Sequence, residues 1–269
     1  MTFLYTLKVR ALATRTGRRA WTLWRRLTRQ ERRTKSAMDL VRELVPGKSF
    51  ADIGCMWNVD GAYSFAAEEC GARSVIGVDV IAPTPEFERK RRERGSKIAF
   101  IQGDGVSPAV MERIGRADVV LCAGVLYHHP SPYHLLVSLR ELCGETLILG
   151  SATIPESRAM RQAAVYYPQL SEKDRRVWDA SRCYGGTRWA INIPYDPAVG
   201  YSNWFWGMTP SCITAMVETA GFRVDEVHAL QPFARVFVCR TVAKVPVELR
   251  SSVCRSSDAM LSCVELSSL

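Results

Sequence analysis

The sequence predicts a doubly wound, Rossmann-like α/β sheet of about seven strands, with the last strand antiparallel. Three observations predict it. Short apolar runs alternate with amphipathic runs from about residue 36 onward, the pattern of a parallel sheet with helices on both faces. The first run ends in Asp52-Ile53-Gly54, an acid and a glycine at a strand-to-helix turn. The second ends in Gly77-Val78-Asp79, 25 positions beyond Gly54. Right-handed crossovers would bring all the strand ends to one edge, where ligands bind.

Residues 1–35 hold eleven of the 36 Lys and Arg and one acid, Glu31; residues 36–269 carry 25 basic and 26 acidic side chains. The net charge of +9 therefore belongs to an N-terminal arm. The arm reads as a basic, partly amphipathic helix, with Trp21, Trp24 and Leu27 near one face and Arg18, Arg19, Arg25, Arg26 and Arg29 around it. Trp favours a membrane interface and Arg snorkels to headgroups, so peripheral contact with an anionic membrane is one expectation. An arm packing its two Trp on the domain is the other, and periodicity leaves both open. A nearly neutral body counts against a nucleic-acid partner, which needs basic residues on the domain itself.

The apolar patch Phe3–Leu7 is soon broken by arginine, so no secretory signal is read, and no run of 18 apolar residues exists. Nine cysteines occur without a CxxC pair, so no metal site is expected. Their odd number and apolar surroundings suit buried thiols in a reducing cytoplasm.

In order, the spacing predicts a helix over Ala37–Leu44, stopped by Pro46-Gly47, and a strand over Ser49–Ile53. A helix over Gly61–Cys70, a strand over Ser74–Val78 and a charged helix over Pro85–Gly95 follow. Next come a strand over Lys97–Gln102, a helix over Pro108–Ile114, a strand over Ala117–Ala123, a helix over Ser131–Leu142 and a strand over Glu145–Gly150. Residues 151–208, rich in Tyr, Trp, Arg, Pro and Gly, break the rhythm and read as a lid-like, substrate-side insertion. A helix over Ser211–Ala220 and strands over Val224–Leu230 and Ala234–Thr241 close the domain, taken as 36–241, before a Ser-rich tail over 242–269.

Gly54 allows close backbone approach at the first turn. A dinucleotide would want GxGxxG beneath its pyrophosphate, but Met56 stands at the second glycine position. A nicotinamide dehydrogenase is thus disfavoured, and a phosphate-free nucleoside cofactor fits better. Asp79 can accept both ribose hydroxyls, Val80 can pack on an adenine face, and Asp104 can accept from an adenine amino group with Gly105 giving room. Each has a plainer reading as a turn or capping residue.

The fourth strand and its exit read Ala117-Asp118-Val119-Val120-Leu121-Cys122-Ala123-Gly124-Val125-Leu126-Tyr127-His128-His129-Pro130-Ser131-Pro132. Here the chain resembles class I methyltransferases that use S-adenosylmethionine. Among them it looks most like the bacterial tRNA wobble-uridine carboxymethyltransferases and their small-molecule relatives. Gly124 to His128, Ser131-Pro132, and the later Asn203-Trp204-Phe205-Trp206 and Pro210-Ser211 carry that resemblance. It implies that Asp52, Gly54 and Cys55 flank the methionine part of the cofactor, that Asp79 holds the ribose and Asp104 the adenine, and that Cys122, Ala123 and Leu126 line the far side. The first turn departs from the family in having less glycine. The tRNA enzymes also carry an extra N-terminal domain where this sequence has a short basic arm.

Methyl transfer is an in-line displacement, so the protein mainly aligns the nucleophile and removes its proton. His128 and His129, just past the fourth strand, have the right pKa range for a base near pH 7; their plainer roles are helix capping and exposure. Tyr127 reads as a pocket wall. The expected activity is methyl transfer to an O or N atom of a small molecule, glycan or lipid precursor. A tRNA-modifying enzyme or a non-catalytic interaction protein of the same fold are the alternatives. Tyr166, Tyr167, Trp178, Tyr184, Trp189, Trp204 and Trp206 are candidate acceptor contacts, and Arg158, Arg161, Arg182 and Arg188 candidate anion contacts.

Overall fold

The computed structural model describes residues 14–28, 34–156, 161–171 and 204–242, with positions 7, 10–12, 173, 174 and 196–198 beside them. The expectations at Arg158, Trp178, Arg182, Tyr184, Arg188, Trp189 and Asn203, and nearly all of the tail, lie outside the described residues.

Helix α1 (Arg15–Leu27) belongs to the arm. Then come α2 (Ala37–Leu44), β1 (Ser49–Ile53), α3 (Ala62–Glu69), β2 (Ser74–Asp79), α4 (Pro85–Glu93), β3 (Ala99–Gln102), α5 (Pro108–Ile114) and β4 (Ala117–Ala123). A single 3-10 turn over Leu126–His128 leads to α6 (Pro132–Leu142) and β5 (Cys143–Ala152). Strands β6 (Ala164–Tyr166) and β7 (Trp206–Met208) precede α7 (Pro210–Thr219), β8 (Phe222–Gln231) and β9 (Ala234–Thr241).

Helix starts follow side-chain chemistry. Ser36 and Asp39 form a reciprocal capping box at α2, and Thr84 and Thr209 accept from Phe87 N and Cys212 N at α4 and α7. Each satisfies a backbone donor that the first turn leaves open. Proline stands in the first turn of α4, α5, α6 and α7, where its missing N–H costs nothing.

The seven-stranded sheet has the order β3-β2-β1-β4-β5-β9-β8. Strands β1 to β5 pair in parallel, and β9 runs antiparallel to both β5 and β8. Alternation along each strand divides the core into two layers. Val120, Cys122, Leu147, Leu149, Phe237 and Cys239 face α5, α6 and α7. Val119, Leu121, Ile148, Val236 and Val238 face the opposite way, toward α2, α3 and α4. Strand order reverses between β1 and β4, and the crevice beyond the strand ends there is the ligand position of an open α/β sheet. A separate two-stranded antiparallel ribbon pairs β6 with β7.

Candidate functional site

Gly54, at the end of β1, has φ +83°. Its N–H donates to Val78 O at 2.8 Å, and Cys55 N donates to the same oxygen at 3.3 Å. This ties the first turn to the end of β2. A Cβ at position 54 would lie 2.4 Å from Cγ2 of Val125, so glycine is required twice over, by the left-handed backbone and by the approach of the β4 exit. Beyond it the chain folds into a tight loop with Asn58 at φ +58° and Asp60 at φ +46°. Thr84 O–H donates to Asp60 Oδ1 at 2.7 Å, anchoring that loop to the start of α4.

Asp79 lies against this turn. Its Oδ2 accepts from Met56 N at 2.8 Å and its Oδ1 from Ile81 N at 3.1 Å. Two backbone donors hold the carboxylate in one orientation. A carboxylate has about four acceptor positions, so each oxygen keeps one for a further donor such as a ribose hydroxyl. Next in sequence to Asp79 and to Met56 are two exposed apolar side chains, Val80 at 65 % and Trp57 at 70 %. Asp104, at the exit of β3, is exposed, and its Oδ1 accepts from Val106 N at 3.1 Å. It therefore also shapes its own turn. Gly105 packs close to Ile53.

Asp52 is different. It is 1 % exposed, and its Oδ2 accepts from Ser64 Oγ at 2.7 Å. Burial pushes its pKa up to about 7, with the nearby Asp79 charge adding to the rise and the Ser64 hydroxyl opposing it. Cys55 does not turn its side chain toward the expected ligand. Its thiol packs over Gly77, where a Cβ would come within 2.9 Å of the sulfur, and burial raises its pKa strongly. Only the Cys55 backbone belongs to the turn. Cys122 and Leu126, expected along the far side of a pocket, are enclosed in the core facing α5 to α7, and burial lifts the Cys122 thiol to about 12. Ala123 is half-buried.

At the exit of β4, Tyr127 is buried with its ring centroid 4.0 Å from His128 and 4.6 Å from Trp204. Trp204 meets Tyr167 edge-on at 5.8 Å. Phe205 N donates to Tyr127 O at 2.9 Å, and Trp206 Nε1 donates to Pro130 O at 2.9 Å. Thus the segment around β7 is fastened to the β4 exit by both backbone and ring contacts. His128 and His129 are half-buried. His129 Nδ1 accepts from Ser131 N at 3.0 Å, which puts the neutral ring's proton on Nε2. Its one lone pair is then occupied, so as a neutral ring it is a donor and not a base. Burial lowers its pKa, with the Asp104 carboxylate opposing. Among the described residues no group of three or more His, Cys, Asp or Glu side chains is placed to hold a metal ion.

No protein-family model matches the chain. A tRNA U34 carboxymethyltransferase of Helicobacter pylori is 32 % identical over 150 residues, covering 49 % of this chain and 56 % of that protein. One of Methylococcus capsulatus is 31 % identical over 134 residues, covering 45 % and 40 %. The chain thus spans about half the length of the curated relatives it matches. Among solved structures, magnesium protoporphyrin IX methyltransferase from Synechocystis PCC 6803 with bound S-adenosylhomocysteine aligns with TM-score 0.50 at 18 % identity, over 81 % of this chain and 85 % of that one. The 1,6-didemethyltoxoflavin-N1-methyltransferase of Burkholderia thailandensis aligns with TM-score 0.52 at 14 % identity, over 84 % and 87 %.

The chain has the class I methyltransferase fold.

In this methyltransferase fold, Gly54, Asp79, Val80, Asp104 and Gly105 come from three neighbouring strand ends, and His128 and His129 from a fourth. Sequence reasoning missed Ser64, which holds Asp52, and Val125, which abuts Gly54. It also missed Trp57 as an exposed ring next to Met56, whose N–H holds Asp79. Glu156 was missed as well: it takes the N–H of Ser211 at 3.0 Å and its hydroxyl, and so fixes the start of α7. Trp57, large and apolar in an irregular turn, was the one signal open to a reader.

Proposed function

We propose that the protein transfers a methyl group from S-adenosylmethionine to an O or N atom of a small molecule, glycan or lipid precursor. The observation that carries this is Asp79, oriented by Met56 N and Ile81 N beside the Gly54 bend. The residues present fit the cofactor. Asp79 keeps acceptor positions for two ribose hydroxyls, Val80 and Trp57 offer apolar faces for a purine, and Asp104 stands at the next strand end. When bound, the cofactor supplies a sulfonium methyl that a nucleophile can displace.

The chain's own residues orient and deprotonate the acceptor. His128 and His129 at the β4 exit are the two candidate bases, and His129 would have to release Ser131 N to act as one. Half-buried Trp206 offers an aromatic face to the acceptor, with Tyr127 and Trp204 buried behind it as support, and residues 1–35 bring that region to a membrane surface when the acceptor is a lipid precursor. Modification of a tRNA base is the second reading, favoured by the names of the curated relatives; the nearly neutral charge of residues 36–269 weighs against it.

Calorimetry with S-adenosylmethionine and with NAD tests the cofactor assignment, and mass-shift screening of acceptors tests the rest. Binding of the former alone is expected. Heat from NAD alone, or from neither, overturns the reading.

A further inference from the structure

Helix α1 contains thirteen residues, about 20 Å at roughly 1.5 Å per residue, which is too short to cross a hydrocarbon core about 30 Å thick. No helix among the described residues is long and apolar enough to cross a membrane. The helix is nonetheless firmly started: Thr14 accepts from Gly17 N at 2.9 Å and donates to Ala11 O at 2.7 Å. Two faces diverge along it. Arg15, Arg18, Arg19 and Arg26, with Thr22 and Leu23, line one groove. Leu23, Trp24 and Leu27 stand 57 %, 52 % and 76 % exposed, and at about 100° per residue they share one arc beside that groove. A third side is committed inward, where buried Arg25 stacks 4.7 Å over the Trp21 ring and bonds the Thr34 hydroxyl.

We propose that α1 lies flat on an anionic bilayer, with Leu23, Trp24 and Leu27 inserted below the headgroups and Arg19 and Arg26, which flank that arc, on phosphates. A cationic face beside an exposed Trp/Leu arc is complementary to a surface that is anionic outside and apolar beneath. A phosphate backbone would engage the arginines and leave the Leu arc in water, so the bilayer is the better match. The inference deepens the reading above, resting on its membrane-facing arm, and its readout does not involve methyl transfer.

The test is co-sedimentation of the full chain with phosphatidylcholine vesicles containing about 30 % phosphatidylglycerol, against pure phosphatidylcholine and against a tRNA mixture. Binding to the anionic vesicles at least tenfold tighter than to neutral ones is expected, with a blue shift of tryptophan emission that Trp24→Phe diminishes. Leu27→Glu and the pair Arg19→Glu with Arg26→Glu should each weaken it tenfold or more. All three positions are exposed, so unchanged circular dichroism and S-adenosylmethionine heat keep folding and the cofactor reading separate. The proposal is overturned if Leu27→Glu binds like wild type or if tRNA binds more tightly than the vesicles. It is equally overturned by a dimer that Trp24→Glu dissolves, or by an absence of vesicle binding.

Discussion

The two halves of the candidate site are built by different forces. On the β1–β2 side, Asp79, Gly54 and Met56 are joined through backbone N–H and C=O groups, with bonds of 2.8 Å from Met56 N to Asp79 and from Gly54 N to Val78 O. At the β4 exit, Tyr127, Trp204 and Tyr167 are joined by ring packing, with centroids 4.6 Å apart for Tyr127 and Trp204 and 5.8 Å for Trp204 and Tyr167. Backbone bonds fix a geometry that few side-chain changes can alter. Ring packing fixes a shape that any change of side chain alters. A part that must hold an invariant cofactor and a part that must fit one acceptor would be expected to divide along this line.

Gly54→Ala should disturb the backbone-bonded half most. The left-handed backbone costs about 1–2 kcal/mol for a residue with a Cβ, and that Cβ would sit 2.4 Å from Val125. We expect a loss of about 3 kcal/mol or more, roughly 10 °C in Tm for a domain of this size, together with loss of S-adenosylmethionine binding. Adding Val125→Ala should recover the contact part of the loss but not the backbone part. Full recovery in a thermal melt would mean the left-handed bend is unimportant.

Asp52 gives the next largest effect, and it separates the two carboxylates on one side of the site. Its folded pKa of about 7 lies above the ordinary 3.8, so between those values the folded state holds a proton that the unfolded state has released. Stability contributed by Asp52 is therefore complete below about pH 4 and lost as pH rises through 7. Asp52→Asn should flatten that slope between about pH 4 and 7. Asp79→Asn should shift the midpoint downward, because the Asp79 charge is one cause of the rise. Urea unfolding at stepped pH measures both, and an unchanged slope in Asp52→Asn would place the proton elsewhere.

Asp79→Ala should weaken S-adenosylmethionine binding by tenfold or more, about 1.4 kcal/mol, read by calorimetry. It also leaves Met56 N and Ile81 N without their acceptor, so some loss of stability accompanies it. Trp204→Phe, on the other side of the site, should leave that affinity within about twofold, and an equal loss in the two variants would dissolve the distinction between the halves.

Much of this fold was legible because its elements are local. Helix Pro108–Ile114 and strand Ala117–Ala123 have the bounds their residue patterns predict. Strand β5 runs further than its apolar run, from Cys143 to Ala152, because β9 pairs with it as far as Ala152 opposite Ala234, a partner more than 80 positions away. The ribbon of β6 and β7 went unread for the same reason: each strand has three residues, too few for a period, and their pairing spans some forty positions. At the site, residue types pointed to Asp79 and Gly54. They did not say that Cys55 would turn its thiol onto Gly77, since an irregular turn has no period from which to read direction. Nor could they show the bonds on Asp79, which come from backbone groups that every residue carries.

The two adjacent histidines offer the finest test of where the halves meet. Burial lowers the pKa of His129 at the β4 exit below the ordinary 6.5, while the charge of Asp104 on the β3 side pulls the other way. The folded state therefore binds this proton less readily than the unfolded chain, and the stability involved is present above about pH 6.5 and lost as pH falls below it. Asp104→Asn removes the opposing charge, so the His129 ring, followed by NMR, should titrate still lower in that variant. The change in stability should stay below about 1 kcal/mol, as for a single partly screened pair. His129→Gln retains an acceptor for Ser131 N and should leave the fold intact. If methyl transfer to an identified acceptor falls by about a hundredfold or more in His128→Ala but only severalfold in His129→Gln, the base is His128. The reverse result would require His129 to give up its bond to Ser131 during the reaction, making the loop rather than the ring the element that moves.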